Sequence, residues 1–169
     1  MNQKVKKITY TGLLAALCFL GTYLIHIPSF SQGYWHIGDS MVFLTGAVLG
    51  PVYGGVAAGI GSMLADLAGG YAIWMPATFI IKFIMAAVMG LFLKKSATIA
   101  NVKTVIAMVI GVIVLVAGYY LAGSLLVNNF ISPLADCIGN MVQGIVGSII
   151  GFVVMVVFDR TKLTSKIRG

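Results

Sequence analysis

Charge is what this chain has least of. Only 9% of its 169 residues are charged; four are acidic, all of them aspartate, and glutamate is missing altogether. A soluble domain carries about 25% charged residues, so a chain that is 60% hydrophobic cannot coat itself in polar side chains and reads as an all-α integral membrane protein. Two cysteines, Cys18 and Cys137, have no metal-ligand spacing, and Leu17 is too large for a lipid-attachment motif, so both read as small core residues. The chain has no G-x-x-x-x-G-K-[ST] loop, which excludes ATP hydrolysis by the usual phosphate-binding loop. It has no G-x-S-x-G elbow, and neither histidine has an evident serine partner, which argues against a serine hydrolase. No HExxH or Cys/His cluster supports a metal site. No clustered carboxylates suggest a metal-dependent lipid transferase, and no inverted repeat suggests a self-contained secondary transporter. Neither an enzyme nor a cofactor is expected.

What is present is apolar length. A helix needs about 20 apolar residues to cross a bilayer, and six candidates follow: 8–27, 38–49, 52–68, 76–93, 104–127 and 134–158, in one membrane domain over residues 1–169. The second is short and glycine-rich, and Gly50-Pro51 separates it from the third. The first has no small-residue cleavage site after it and reads as a retained helix. The net charge of +7 does not point to nucleic acid, because the basic residues flank the apolar runs. They read as topology determinants and contacts to anionic membrane lipids. Ten of the eleven fall in the N-terminus, the 94–103 loop and the C-terminal tail, which six spans place on one side. The expectation is N-in and C-in.

The opposite, outer segments hold no Lys or Arg. They read Pro28-Ser29-Phe30-Ser31-Gln32-Gly33-Tyr34-Trp35-His36, Gly69-Gly70-Tyr71-Ala72-Ile73-Trp74 and Asn128-Asn129-Phe130. Their aromatics form either an interfacial belt or a platform for a flat ligand. His26 and His36 sit near the same face and read as satisfied structural groups. Three of the four aspartates, Asp39, Asp66 and Asp136, fall at outer helix ends, whereas Asp159 stands beside Arg160 and reads as a solvated tail charge.

Lys82 is the eleventh cation, inside an apolar run. Such a charge costs roughly 2.5–3.5 kcal/mol on insertion scales and persists for a reason. Six residues past Pro76, it lies roughly 9 Å below the outer helix end. Asp136, Asn140 and Gln143 share one helix face at i, i+4, i+7 spacing. Polar groups in hydrocarbon are expensive, so that face should point into the bundle and can line one cavity with Lys82. Three roles stay open for Lys82: a ligand-cavity wall, an internal ion pair with Asp66 or Asp136, or a proton relay.

Small residues recur at four-residue spacing in Gly46/Gly50/Gly54, Gly55/Gly59 and Gly12/Ala16. Such stripes let helix backbones approach closely. Most pack a bundle internally; the Gly12/Ala16 pair is a candidate face for another membrane subunit.

The block HIGDSMVFLTGAVLGPVYGGVAAGIGSMLADLAGG, continued by YAIWMPATFIIKFIMAAVMGLF, resembles the substrate-binding (S) components of energy-coupling factor (ECF) vitamin transporters. Gly38-Asp39, Leu49-Gly50-Pro51, the glycines at 54, 55 and 59, Asp66, and Pro76 with Lys82 carry the match. The resemblance implies a membrane subunit of a bacterial plasma membrane that binds a vitamin from outside. It would hand its cargo inward with a transmembrane coupling (T) subunit and two cytosolic ATPases, without chemistry of its own. It also implies that Gly12, Ala15 and Ala16 meet the coupling subunit. Within the family the chain looks most like members for hydroxymethylpyrimidine or vitamin B6 compounds. The expected ligand-binding residues are Trp35, His36, Asp39, Tyr71, Trp74, Lys82, Asn128, Asp136, Asn140 and Gln143. Riboflavin or thiamine carriers, a lipid-like substrate, an autonomous proton-coupled transporter and a purely structural membrane protein are the alternatives.

Overall fold

The computed structural model describes residues 3–29 and 33–168, and the side chains of all of these but Gln3 and His26. The expectations that fall on Phe30, Ser31, Gln32 and the His26 imidazole lie outside the described residues.

Among the described residues, seven helices and one small hairpin make the fold: α1 (Gln3–Tyr23), β1 (His26–Pro28), β2 (Tyr34–His36), α2 (Asp39–Leu49), α3 (Pro51–Gly69), α4 (Met75–Leu93), α5 (Val102–Leu126), α6 (Leu134–Arg160) and α7 (Leu163–Arg168). A 3-10 turn, Ala72–Trp74, leads into α4. By length and composition, α3, α4 with its leading turn, α5 and α6 can each cross a membrane. The two other expected spans differ in kind. α2 has 11 residues, about 16 Å at 1.5 Å per residue, and α1 carries Lys4, Lys6 and Lys7 in its first turns.

The first helix departs from the expected 8–27. It ends at Tyr23, and His26–Pro28 leaves it to pair antiparallel with Tyr34–His36, in register His26↔His36, Ile27↔Trp35 and Pro28↔Tyr34. Pro28 has no backbone N–H to continue a helical ladder, and β-branched Ile27 favours the extended chain. The other boundaries fall within two residues of expectation.

Packing is inside-out relative to a soluble protein. The outward residues of α5 and α6 are apolar, among them Val109, Ile113, Leu125, Ile138, Ile149 and Val153, as lipid contact requires. The short α2 runs through the centre, touching α1, α3, α4 and α6, and only Met41 and Leu49 of its residues escape full burial. Glycine makes that centre possible. A Cβ on Gly46 would stand 2.1 Å from the Ala86 carbonyl oxygen, and one on Gly54 would meet the Thr45 carbonyl oxygen at 2.6 Å. The Gly46/Gly54 stripe therefore packs α2 internally, against α4 and α3. Between them Gly50 turns the chain at φ +80°, a region open to glycine and strained for other residues.

At the end carrying the 94–103 loop and α7, polar groups act as staples. Asp159 is not a solvated charge, as its position beside Arg160 had implied. Its Oδ2 accepts the backbone N–H groups of Ile99 and Ala100, each at 2.8 Å, and its Oδ1 accepts the Thr164 hydroxyl at 2.9 Å. Arg168 donates through Nη1 to the Ser96 carbonyl at 2.7 Å, and through Nη2 to the carbonyls of Leu93, at 3.2 Å, and Ala47. Two of these are last-turn carbonyls of α4 and α2, which have no partner within their own helices. Burial holds this guanidinium below its ordinary pKa, with Asp159 acting in the opposite direction.

Candidate ligand-binding site

The hairpin end carries the unusual chemistry. Asp39 opens α2, where the positive helix terminus favours a carboxylate. Its Oδ1 accepts Lys82 Nζ of α4 at 2.5 Å, with both side chains fully buried. Its Oδ2 accepts Gln143 Nε2 of α6 at 2.8 Å, and Gln143 Oε1 in turn accepts the His36 backbone N–H at 3.1 Å. His36 Nδ1 accepts the N–H of Gly38 at 3.0 Å. One network thus ties β2, α2, α4 and α6 together. Of the roles left open for Lys82, the ion pair is present, but with Asp39, 43 residues away in sequence, rather than with Asp66 or Asp136. Close approach of α6 brings Gln143 to the same carboxylate, since a Cβ on Gly147 would lie 2.8 Å from Asp39 Cβ.

Above that network lies a cavity of about 30 Å³, lined by Ser29, Gly33, Tyr34, His36, Asp66, Trp74, Thr78, Tyr119, Asp136 and Asn140. It has room for a water or two. Tyr34 donates its hydroxyl to Asp66 Oδ1 at 2.7 Å. Burial, then the charge and hydrogen bond of Asp66, push this phenol above its ordinary pKa, so it stays a donor. Thr78 and Tyr119 pair through their hydroxyls at 3.1 Å. Tyr119 also spreads its ring over Lys82, 5.2 Å from Nζ to the centroid, and packs against Trp74 at 5.9 Å. Lys82 therefore lies under the aromatic floor, directly beneath the cavity-lining ring of Tyr119, and does not itself line the cavity.

The expected site residues separate into groups. His36, Trp74, Asp136 and Asn140 line the cavity. Asp39, Lys82 and Gln143 form the network beneath it. Tyr71 backs the wall by stacking on Tyr34, with ring centroids 4.5 Å apart. Trp35 points elsewhere: it covers Gly139 of α6 in a lateral apolar groove with Ile25, Ile27 and Ile138. Asn128 is exposed in the turn after α5, at φ +49°, and does not reach the cavity. Sequence reasoning missed Tyr34, Asp66, Thr78 and Tyr119 as lining residues, along with Ser29 and Gly33. Thr78 carried a signal, standing one helical turn before Lys82 on the same face of α4; Tyr119 carried none beyond its place in an apolar run.

On α1, Gly12 and Ala16 lie on an exposed face, and nothing approaches within 4 Å of a Cβ placed on Gly12. Ala15 is turned partly inward, its carbonyl oxygen 2.3 Å from a Cβ placed on Gly61 of α3.

A family profile described as "ECF-type riboflavin transporter, S component" matches residues 2–160. The chain belongs to this family. A relative from Pyrococcus woesei, described as an uncharacterized protein in gap 3'region, is 36% identical over 131 residues, which is 77% of this chain and 86% of that protein. Among solved structures, the S-component for biotin from an ECF-type ABC transporter superimposes with a TM-score of 0.70, covering 95% of this chain and 93% of that one at 24% identity. At that identity the likeness speaks to the fold. Family and fold are those of transporter S components, which are membrane subunits rather than enzymes.

Proposed function

We propose that this S component captures a small, flat, vitamin-type heterocycle, of the hydroxymethylpyrimidine or vitamin B6 kind, at the outer face of the cell membrane. It releases the cargo inward only in company with a coupling subunit and two ATPases. The observation that carries the reading is the polar cavity at the hairpin end, where Tyr34, Asp66, Asp136 and Asn140 stand beside the aromatic faces of Trp74 and Tyr119. Buried polar side chains among aromatics are what a pocket for a ring with hydroxyl and nitrogen groups needs. Riboflavin, in the description of the matching family, and biotin, in that of the solved relative, are the other substrates to test.

The single membrane domain is read as six spans with both termini inside, which puts the basic clusters on the inner side and the hairpin outside. The cavity, at about 30 Å³, is far below the roughly 300 Å³ of a small-molecule site. Capture therefore requires the cavity to widen. The exposed Gly12 and Ala16 face of α1, with Ala15 at its edge, is the proposed contact for the coupling subunit.

The deciding experiment purifies the chain without partners, denatures it and identifies the released small molecule by mass spectrometry. A heterocycle of this class supports the reading. Import into liposomes by the chain alone, driven by a pH gradient, overturns it. In the assembled transporter, Gly12→Leu and Ala16→Leu should leave ligand binding intact and stop ATP-driven uptake; normal uptake would place the docking face elsewhere.

A further inference from the structure

The balance of charge around the cavity goes further than the vitamin reading and rests on it. Two carboxylates, Asp66 and Asp136, line the cavity, and both residues are at least nine-tenths buried. Asp66 is 3% exposed; its Oδ1 accepts the Tyr34 hydroxyl, and its Oδ2 accepts nothing. Among the described residues no Lys or Arg lines this cavity. Lys82, the cation below its floor, spends itself on Asp39 under the Tyr119 ring. Of the neighbouring hydroxyls, Thr78 shares one hydrogen bond with Tyr119 and acts on the Asp66 carboxylate, but none fills Oδ2.

A buried carboxylate oxygen with no partner forfeits hydrogen bonds it would make in water. The donor that completes it must come from whatever enters the cavity. An entering carboxylate would meet Asp66 as a like charge, with the nearby Lys82 already paired to Asp39 and little screening by water.

We infer that the cavity selects a ring presenting an N–H, a protonated ring nitrogen or a hydroxyl to Asp66 Oδ2, and rejects ligands whose ionised group is a carboxylate. Asp66 is the specificity-determining acceptor, and its charge disfavours an entering anion. The biotin-binding relative shares the fold, yet biotin carries a carboxylate and falls on the rejected side of this rule.

The test uses the purified full chain in detergent, with binding followed by titration calorimetry. Pyridoxine and 4-pyridoxic acid form a matched pair, the same ring with one hydroxymethyl group replaced by a carboxylate; riboflavin and biotin complete the panel. Pyridoxine or riboflavin should bind at least tenfold tighter than 4-pyridoxic acid and biotin. Asp66→Asn should weaken the preferred ligand by tenfold or more and narrow the gap to 4-pyridoxic acid. Tighter or equal binding of either carboxylate ligand to the wild-type chain overturns the inference and leaves the vitamin-capture reading standing. If no compound binds, that reading fails and the inference falls with it. Should Asp66→Asn not fold, the wild-type preference within the matched pair decides alone.

Discussion

The two ends of this bundle use buried charge in opposite ways. At the end holding the 94–103 loop, Asp159 is filled by two backbone amides and a hydroxyl, and Arg168 is spread over three carbonyls. Their partners are mostly backbone, so these charges close loops and helix ends and offer little to a ligand. At the hairpin end the partners are side chains from different helices, and the satisfaction is layered. Asp39 is saturated by Lys82 and Gln143, while Asp66, nearer the surface, has one oxygen filled and one open. A carboxylate that is full has no oxygen left for a ligand; one that is half full and faces a cavity keeps an acceptor to offer.

That contrast can be broken most forcefully at Lys82. If it is the counter-charge of Asp39, Lys82→Ala strands a buried carboxylate and should cost about 3–5 kcal/mol of stability, read as a large drop in melting temperature in detergent. The double variant Lys82→Met with Asp39→Asn, which removes both charges, should recover much of the loss. A single variant that melts normally but binds ligand at least tenfold more weakly would instead make Lys82 part of the receptor.

Next in size is Asp159. Asp159→Ala leaves the amides of Ile99 and Ala100 unmet and should cost about 1–3 kcal/mol, with ligand affinity unchanged. Affinity that fell with stability would show the two ends to be coupled rather than distinct.

How much of this was legible beforehand depended on the range of the interaction. The apolar runs of α3 to α6 announced themselves, because a bilayer demands unbroken length. The i, i+4, i+7 series Asp136, Asn140 and Gln143 gave the correct inward face of α6, since helical spacing is local. The three-residue strands were hidden: His26 and Ile27 continued an apolar run, and pairing across a loop leaves no periodic trace over so few residues. The partner of Lys82 was hidden for a different reason. Asp39, Asp66 and Asp136 all fall at one end of the bundle, and the choice among them depends on helix rotation, which spacing does not reveal. The same gap hid that Trp35 and Asn128 fall outside the lining of this cavity.

The finest probe of the comparison is Arg168. Replacement by lysine keeps the positive charge near the last-turn carbonyls of α2 and α4 but loses the planar fork that reaches Ser96, Leu93 and Ala47 together. If the terminal end is a hydrogen-bonded clasp, Arg168→Lys should cost about 0.5–1.5 kcal/mol in thermal unfolding and leave ligand affinity alone. If the end needs only a cation against the helix dipoles, lysine should serve as well as arginine and the melting temperature should not move. The first result would mean that geometry holds the terminal end shut, in contrast to the hairpin end, where Asp66 keeps one oxygen open.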